Sequence, residues 1–238
     1  MLNIARKAAI TTGAAMLFIG TQGCQLISTS LPADKAFAMS ASALSGSERY
    51  GFAGEVSVLD PGGFVGGRAA FEGEVTMHGK LSMQWKSNSS ATMEVNSQQT
   101  TAYRPLQLLE SIKGDSATIT YAEKPVPNQP VRMQIKLDDT VARDRLAQVL
   151  RDDFALLRAD NGLLRGDPAK AEQILLAANK RLEEALSTLE VTTVCQWTAD
   201  PKSWFPSQLK EESTLSYRWN GKPYKEKRIS ETNFSLKG

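Results

Sequence analysis

From Tyr50 to Leu236 the chain keeps returning to one pattern, the alternation of apolar and polar residues. Tyr50, Phe52, Gly54, Val56 and Val58 share one side, with Glu55 and Ser57 on the other. Phe71, Val75 and Met77 alternate with Glu72, Glu74 and Thr76; His78-Gly79 makes a tight turn, and Leu81, Met83 and Trp85 then alternate with Ser82, Gln84 and Lys86. The pattern recurs at Ala91-Met93-Val95, Ala117-Ile119-Tyr121, Val131-Met133-Ile135-Leu137, Val191 to Trp197 and Leu215-Tyr217-Trp219. A period of two places alternate side chains on opposite faces of a strand. One apolar face and one wet face require an antiparallel sheet with a single covered side, because a parallel sheet is buried on both. Asp60-Pro61-Gly62-Gly63 marks a turn, Gly62 to Arg68 reads as a flexible hairpin loop, and Asn220-Gly221 is a strong two-residue hairpin signal. The closing strand, Tyr224 to Leu236, is largely charged or polar and reads as an edge strand.

Two segments change to helical spacing. Ala142, Leu146, Val149, Leu150, Phe154 and Leu157 form one stripe. Asp167-Pro168 then supplies a cap and a first-turn proline for a second, carrying Ala171, Ile174, Leu175, Ala178, Leu182, Ala185, Leu186 and Leu189. A short connection makes them an antiparallel helical hairpin, about 140–189, whose stripes are free to lie on the sheet. Pro105 to Ser111 suggests a further short helix.

The N-terminus constrains location. Arg6 and Lys7 precede thirteen small or apolar residues, Ala8 to Gly20. Such a run is short for a bilayer span, which takes about 20 residues, and fits the core of a secretory signal. Two processing points follow. Gly23-Cys24 resembles the end of a bacterial lipobox, with Thr21 where Leu is usual, and would make residues 1–23 a signal peptide and Cys24 a lipid anchor. Ala36-Phe37-Ala38 is an A-x-A site that would release a soluble protein after Ala38. An uncleaved anchor is the third alternative. Residues 24–47, rich in Ser, Ala and Leu, read as a mobile spacer, and 48–238 as a single domain.

Charge and residue counts narrow the function. Arg6, Lys7 and Lys35 are three of 28 basic residues and Asp34 is one of 26 acidic ones, so the chain beyond residue 38 is formally neutral. A neutral domain lacks the basic surface that nucleic-acid binding requires. Only two cysteines exist, Cys24 and Cys195, which excludes a disulfide framework and a multi-cysteine zinc site. Cys195, in the apolar run VTTVCQW, reads as a buried inert thiol. The lone histidine, His78, stands in a turn and leaves no histidine triad or His-based metal cluster. Gly62 to Arg68 lacks the G-K-S/T of a phosphate loop, and carboxylate pairs such as Asp138-Asp139, Asp152-Asp153 and Glu183-Glu184 suit solvated helix faces. No cofactor is implied.

The apolar sheet face is the remaining candidate. Met77, Met83, Met93 and Met133 fall on it beside Phe52, Trp85, Tyr121, Tyr217 and Trp219. Met and aromatic side chains make adaptable surfaces for irregular apolar ligands, and they also make ordinary cores.

The layout of a lipobox-like signal, a spacer, many strands with one apolar face and covering helices resembles the LolA/LppX-type bacterial lipoprotein fold. The run CQWTADPKSWFPSQLKEESTLSYRW, Cys195 to Trp219, is similar to a strand pair of that family. The resemblance covers about Ser47 to Leu236 and implies a curved half-barrel sheet closed by helices that binds acyl chains. The long hairpin at 140–189 departs from that family's short plugging helices. The expected protein is thus α+β, a curved antiparallel β-sheet covered on one face by an α-helical hairpin. It is expected to be exported and tethered to the outer face of the plasma membrane, or secreted if cut after Ala38. Its expected role is binding a lipid-like ligand on the concave face without catalysis. The alternative is a structural or protein-interaction module of the envelope with a fully packed core.

Overall fold

The computed structural model describes residues 31–76, 80–87, 109, 112, 116–159 and 168–237, the side chains of 85–87 excepted. Cys24, Met77, His78, Met93, the strand expected at 91–95 and most of the helix expected at 105–111 lie outside them. In chain order the elements are α1 (Ala33–Ser45), β1 (Arg49–Leu59), β2 (Val65–Thr76), β3 (Lys80–Ser87), β4 (Ala117–Tyr121) and β5 (Val131–Leu137). They continue with α2 (Asp139–Ala159), α3 (Pro168–Ser187), β6 (Glu190–Ala199), β7 (Pro206–Trp219) and β8 (Lys222–Leu236). The strands form one open, antiparallel, curved sheet in the order β3-β2-β1-β8-β7-β6-β5-β4, with the helices on one face.

The alternation sets the sheet's inner face. Along β6 the buried residues are Val191, Thr193, Cys195, Trp197 and Ala199, and along β5 Val131, Met133, Ile135 and Leu137. Cross-strand register aligns them, with Ile135 opposite Cys195, Met133 opposite Trp197 and Trp197 opposite Leu209. Asn220 and Gly221, at φ 50 and 75, make the tight reversal that joins β7 to β8. Strand β2 begins at Val65, within the stretch expected to be loop; the turn before it is shut by the Phe64 amide donating to Asp60 Oδ1 at 2.9 Å.

Two expectations are corrected. The closing strand is not an edge. β8 lies at the centre, paired with β1 on one side and β7 on the other. Its charges are accommodated by pairing: Lys227 meets Glu212 at 2.7 Å on the outer face, and Arg228 meets Glu226 on the inner one. Nor is 24–47 all spacer. Ala33–Ser45 is a helix, α1, that buries Ala36, Phe37, Ser40 and Leu44 against the sheet. Small residues at 36 and 40 let its backbone approach closely while Phe37 and Leu44 fill the core, so a stripe of mixed sizes looked unpatterned. Its first turn is closed by the Ala36 amide on Pro32 O, and the Gly46 amide on Ser42 O ends it.

Helix α2 starts where the Asp138 carboxylate accepts from the amides of Thr140 (2.8 Å) and Val141 (3.2 Å), a side-chain cap. It crosses β6, and α3 lies over β7. Arg151 joins the two helices through both Glu183 oxygens, at 3.0 and 2.8 Å. Only Ala142 and Ala147 of α2, and Ala185 and Leu186 of α3, are buried, whereas Leu156, Leu157, Ile174 and Leu176 are exposed. The hairpin covers the sheet with part of its length only.

At the other end the sheet is packed by its own aromatics. A Cβ added at Gly73 would lie 2.3 Å from the Phe52 ring and 2.6 Å from the Ser82 carbonyl oxygen. Phe71 covers Gly54 in the same way. Each glycine thus provides the floor for a ring from the neighbouring strand. Gly73→Ala is expected to destabilise the fold by about 1–3 kcal/mol through overpacking, read as a lower urea midpoint at unchanged slope.

Candidate functional site

Beyond the region held by α1 the inner face opens. α3 presents Leu182, Ala185 and Leu186 at helical spacing, with Leu189 just past its end. α2 adds Leu150. Across from them β7 presents Leu215, Tyr217 and Trp219, and β8 presents Tyr224, Glu226 and Arg228, alternate residues of one hairpin. Together they line a mostly apolar groove of ≈ 390 Å³, a size suited to one small organic ligand.

Thr188 fixes the groove's upper edge. β6 stops pairing with β7 at Glu190 opposite Ser216, which leaves the Arg218 amide without a strand partner. That amide donates to Thr188 Oγ1 at 2.9 Å, while the hydroxyl donates back to Ala185 O at 3.1 Å. The end of α3 is thereby tied to β7.

The rim is polar. Arg228 Nε and Nη2 both reach Glu226 Oε1, at 2.8 and 2.7 Å. The Tyr217 hydroxyl points to the other oxygen at a long 3.5 Å. The rings of Tyr217 and Tyr224 stack 5.9 Å apart and 14° from parallel. Burial raises the Tyr217 pKa above the ordinary phenol value, and the Glu226 charge adds to it.

A second polar cluster lies deeper. Arg145 of α2 is paired with Glu211 of β7 under the helix, with side chains 19% and 8% exposed. Ser213 Oγ and Thr193 Oγ1 are 2.8 Å apart beside it. Cys195, opposite Glu211 in the register, is fully buried, and burial first and the Glu211 charge second push its thiol well above its usual pKa. A thiol held protonated in this way is a poor nucleophile. The cluster is closed over by α2 and pins that helix to the sheet.

The residues singled out from sequence therefore separate. Phe52 and Met133 are core, at 3% and 0% exposure. Tyr121 is half-buried, its hydroxyl donating to Leu31 O at 2.7 Å ahead of α1. Met83 packs at the core margin, and Trp85 has its backbone in β3 opposite Phe71. Among the described side chains of the nine, Tyr217 and Trp219 line the apolar groove. Glu226 and Arg228 were missed because their strand read as an edge; their alternation with Tyr224 was the signal available. Among the described residues no cluster of three or more His, Cys, Asp or Glu could hold a metal ion, and no helix is long and apolar enough to cross a membrane.

No family model and no curated protein matches the chain. Among solved structures, it is similar to an acyl-CoA thioesterase II from Mycobacterium marinum at 10% identity, over 85% of this chain and 90% of that one. The TM-score of 0.14 is too low for that likeness to bear on fold or activity.

Proposed function

We propose that this chain is an exported envelope protein, tethered through Cys24, that binds an apolar, lipid-like ligand without chemistry, in the groove between α3 and the β7–β8 hairpin. The observation that carries the reading is the groove, an open, mostly apolar space at the edge of the buried core. Its ligand face is narrower than the sequence suggested, since α1 occupies the region over Trp197, and Met133 beneath is core. Tethering at Cys24 fits a chain that engages the sheet from Leu31, because cleavage after Ala38 would cut α1 and remove Ala36 and Phe37 from the core.

The reading is tested by binding of a solvatochromic fatty-acid probe to the full domain. Leu182→Trp fills the groove from its half-exposed edge and is expected to weaken the probe by tenfold or more, about 1.4 kcal/mol, with the melting temperature unchanged. Undiminished binding to that variant would place the ligand elsewhere. A second reading, an interaction module, rests on the exposed Leu156, Leu157, Ile174 and Leu176 of the hairpin. It predicts that polar substitutions there abolish capture of a defined envelope partner and leave probe binding intact.

A further inference from the structure

Resting on the groove reading, we propose that the occupant is a single-chain amphiphile with a zwitterionic headgroup of the ammonium–phosphate kind, its tail along Leu150 and Leu182 and its head against Glu226 and Arg228. Charge balance at the rim selects the headgroup. At the rim the guanidinium and carboxylate already neutralise each other, and both are largely covered, with side chains 30% and 20% exposed. An alkyl carboxylate arriving there adds a net negative charge beside Glu226, and an alkylammonium adds a net positive charge beside Arg228. Either leaves one unbalanced charge at the mouth of an apolar groove, a costly arrangement.

A zwitterion splits the pair instead. Both contacts from Arg228 converge on a single oxygen, Glu226 Oε1, through Nε and Nη2. Guanidinium has five donors in a planar fork, so the fork retains donors suited to a phosphate oxygen. Among the described residues, Glu226 Oε2 has only the long contact from the Tyr217 hydroxyl, and so is able to face a cation. Aromatic surface lies to one side of that oxygen: the Tyr217 hydroxyl is 3.5 Å from it, and Tyr217 is opposite Tyr224 across the hairpin. Tyr224 is 45% exposed, which leaves its ring accessible. Ring faces beside a carboxylate are a recognised environment for ammonium groups, through cation–π attraction. Two charges of opposite sign, aromatic surface at one of them and an apolar channel behind them match a zwitterionic amphiphile better than a fatty acid.

The test compares four twelve-carbon probes below their micelle-forming concentrations by titration calorimetry: dodecylphosphocholine, laurate, dodecyltrimethylammonium and dodecyl maltoside. Dodecylphosphocholine is expected to bind roughly tenfold or more tighter than each of the others. In the double variant Glu226→Gln, Arg228→Gln, which keeps hydrogen-bonding groups and removes both charges, that preference is expected to fall to about twofold while laurate and the maltoside bind as before. Equal binding of all four probes to the unaltered protein would overturn the headgroup assignment and leave the groove reading standing. So would a preference that survives in the double variant. Tighter binding of laurate or of the trimethylammonium probe would overturn it in favour of a singly charged ligand. Absence of binding by any probe would overturn both readings.

Discussion

Phe37→Ala is expected to cost about 3–5 kcal/mol, the usual range for truncating a buried aromatic. Phe37 is 6% exposed and sits edge-on to Trp197, with ring centroids 5.4 Å apart. Trp197 is fully buried, and its indole N–H donates to Ser40 Oγ at 2.7 Å, one turn further along α1. The change therefore leaves a cavity against the largest core residue and loosens the helix that satisfies that residue's only donor. A domain of this size has a total stability of about 5–15 kcal/mol, so the loss is a large fraction of it. Differential scanning calorimetry should show a melting temperature lower by about 10 °C. The same physics separates the two processing points. A chain beginning at Met39 lacks half of α1 and should melt far below one beginning at Gln25. Equal melting of those two chains would show that α1 is dispensable and would restore cleavage after Ala38 as the mature start.

Glu211→Leu should cost a comparable amount, about 3–5 kcal/mol, because it leaves the Arg145 guanidinium charged beneath α2 without its carboxylate. The instructive comparison is the double change Arg145→Met, Glu211→Leu. Replacing both ions by apolar groups of similar volume removes two desolvation costs along with one attraction, and is often close to neutral. The two single changes should therefore be strongly non-additive, with a coupling of about 2–3 kcal/mol in a urea-denaturation cycle. Single costs under about 1 kcal/mol each would mean that the pair is solvated and that α2 is held by its apolar contacts alone.

The groove is a consequence of the same fit. The expected concave ligand face spanned the whole sheet, but α1 takes the region over Trp197 and α2 the region over Cys195 and Glu211. The groove is left between the C-terminal half of α3 and the end of the β7–β8 hairpin. Alternation alone could not distinguish Met133 from Tyr217. Both stand on the inner face, and one is fully buried while the other lines a groove. Likewise the charge density of β8 reads as an edge signal because the ion pair that makes Glu226 and Arg228 tolerable inside exists only once the strand is folded.

The strands Val131–Leu137 and Glu190–Ala199, their inward residues, the Asn220-Gly221 reversal and the existence of both long helices were determined by the sequence, since each follows from local periodicity or from backbone geometry over a few residues. The place of β8 between β1 and β7, the conversion of an alanine- and serine-rich stretch into a buried helix, and the choice of which apolar residues stay uncovered were decided by tertiary structure. Those depend on partners far apart in the chain, such as Ser40 with Trp197 or Tyr121 with Leu31, whose complementarity of size and hydrogen bonding no local pattern encodes.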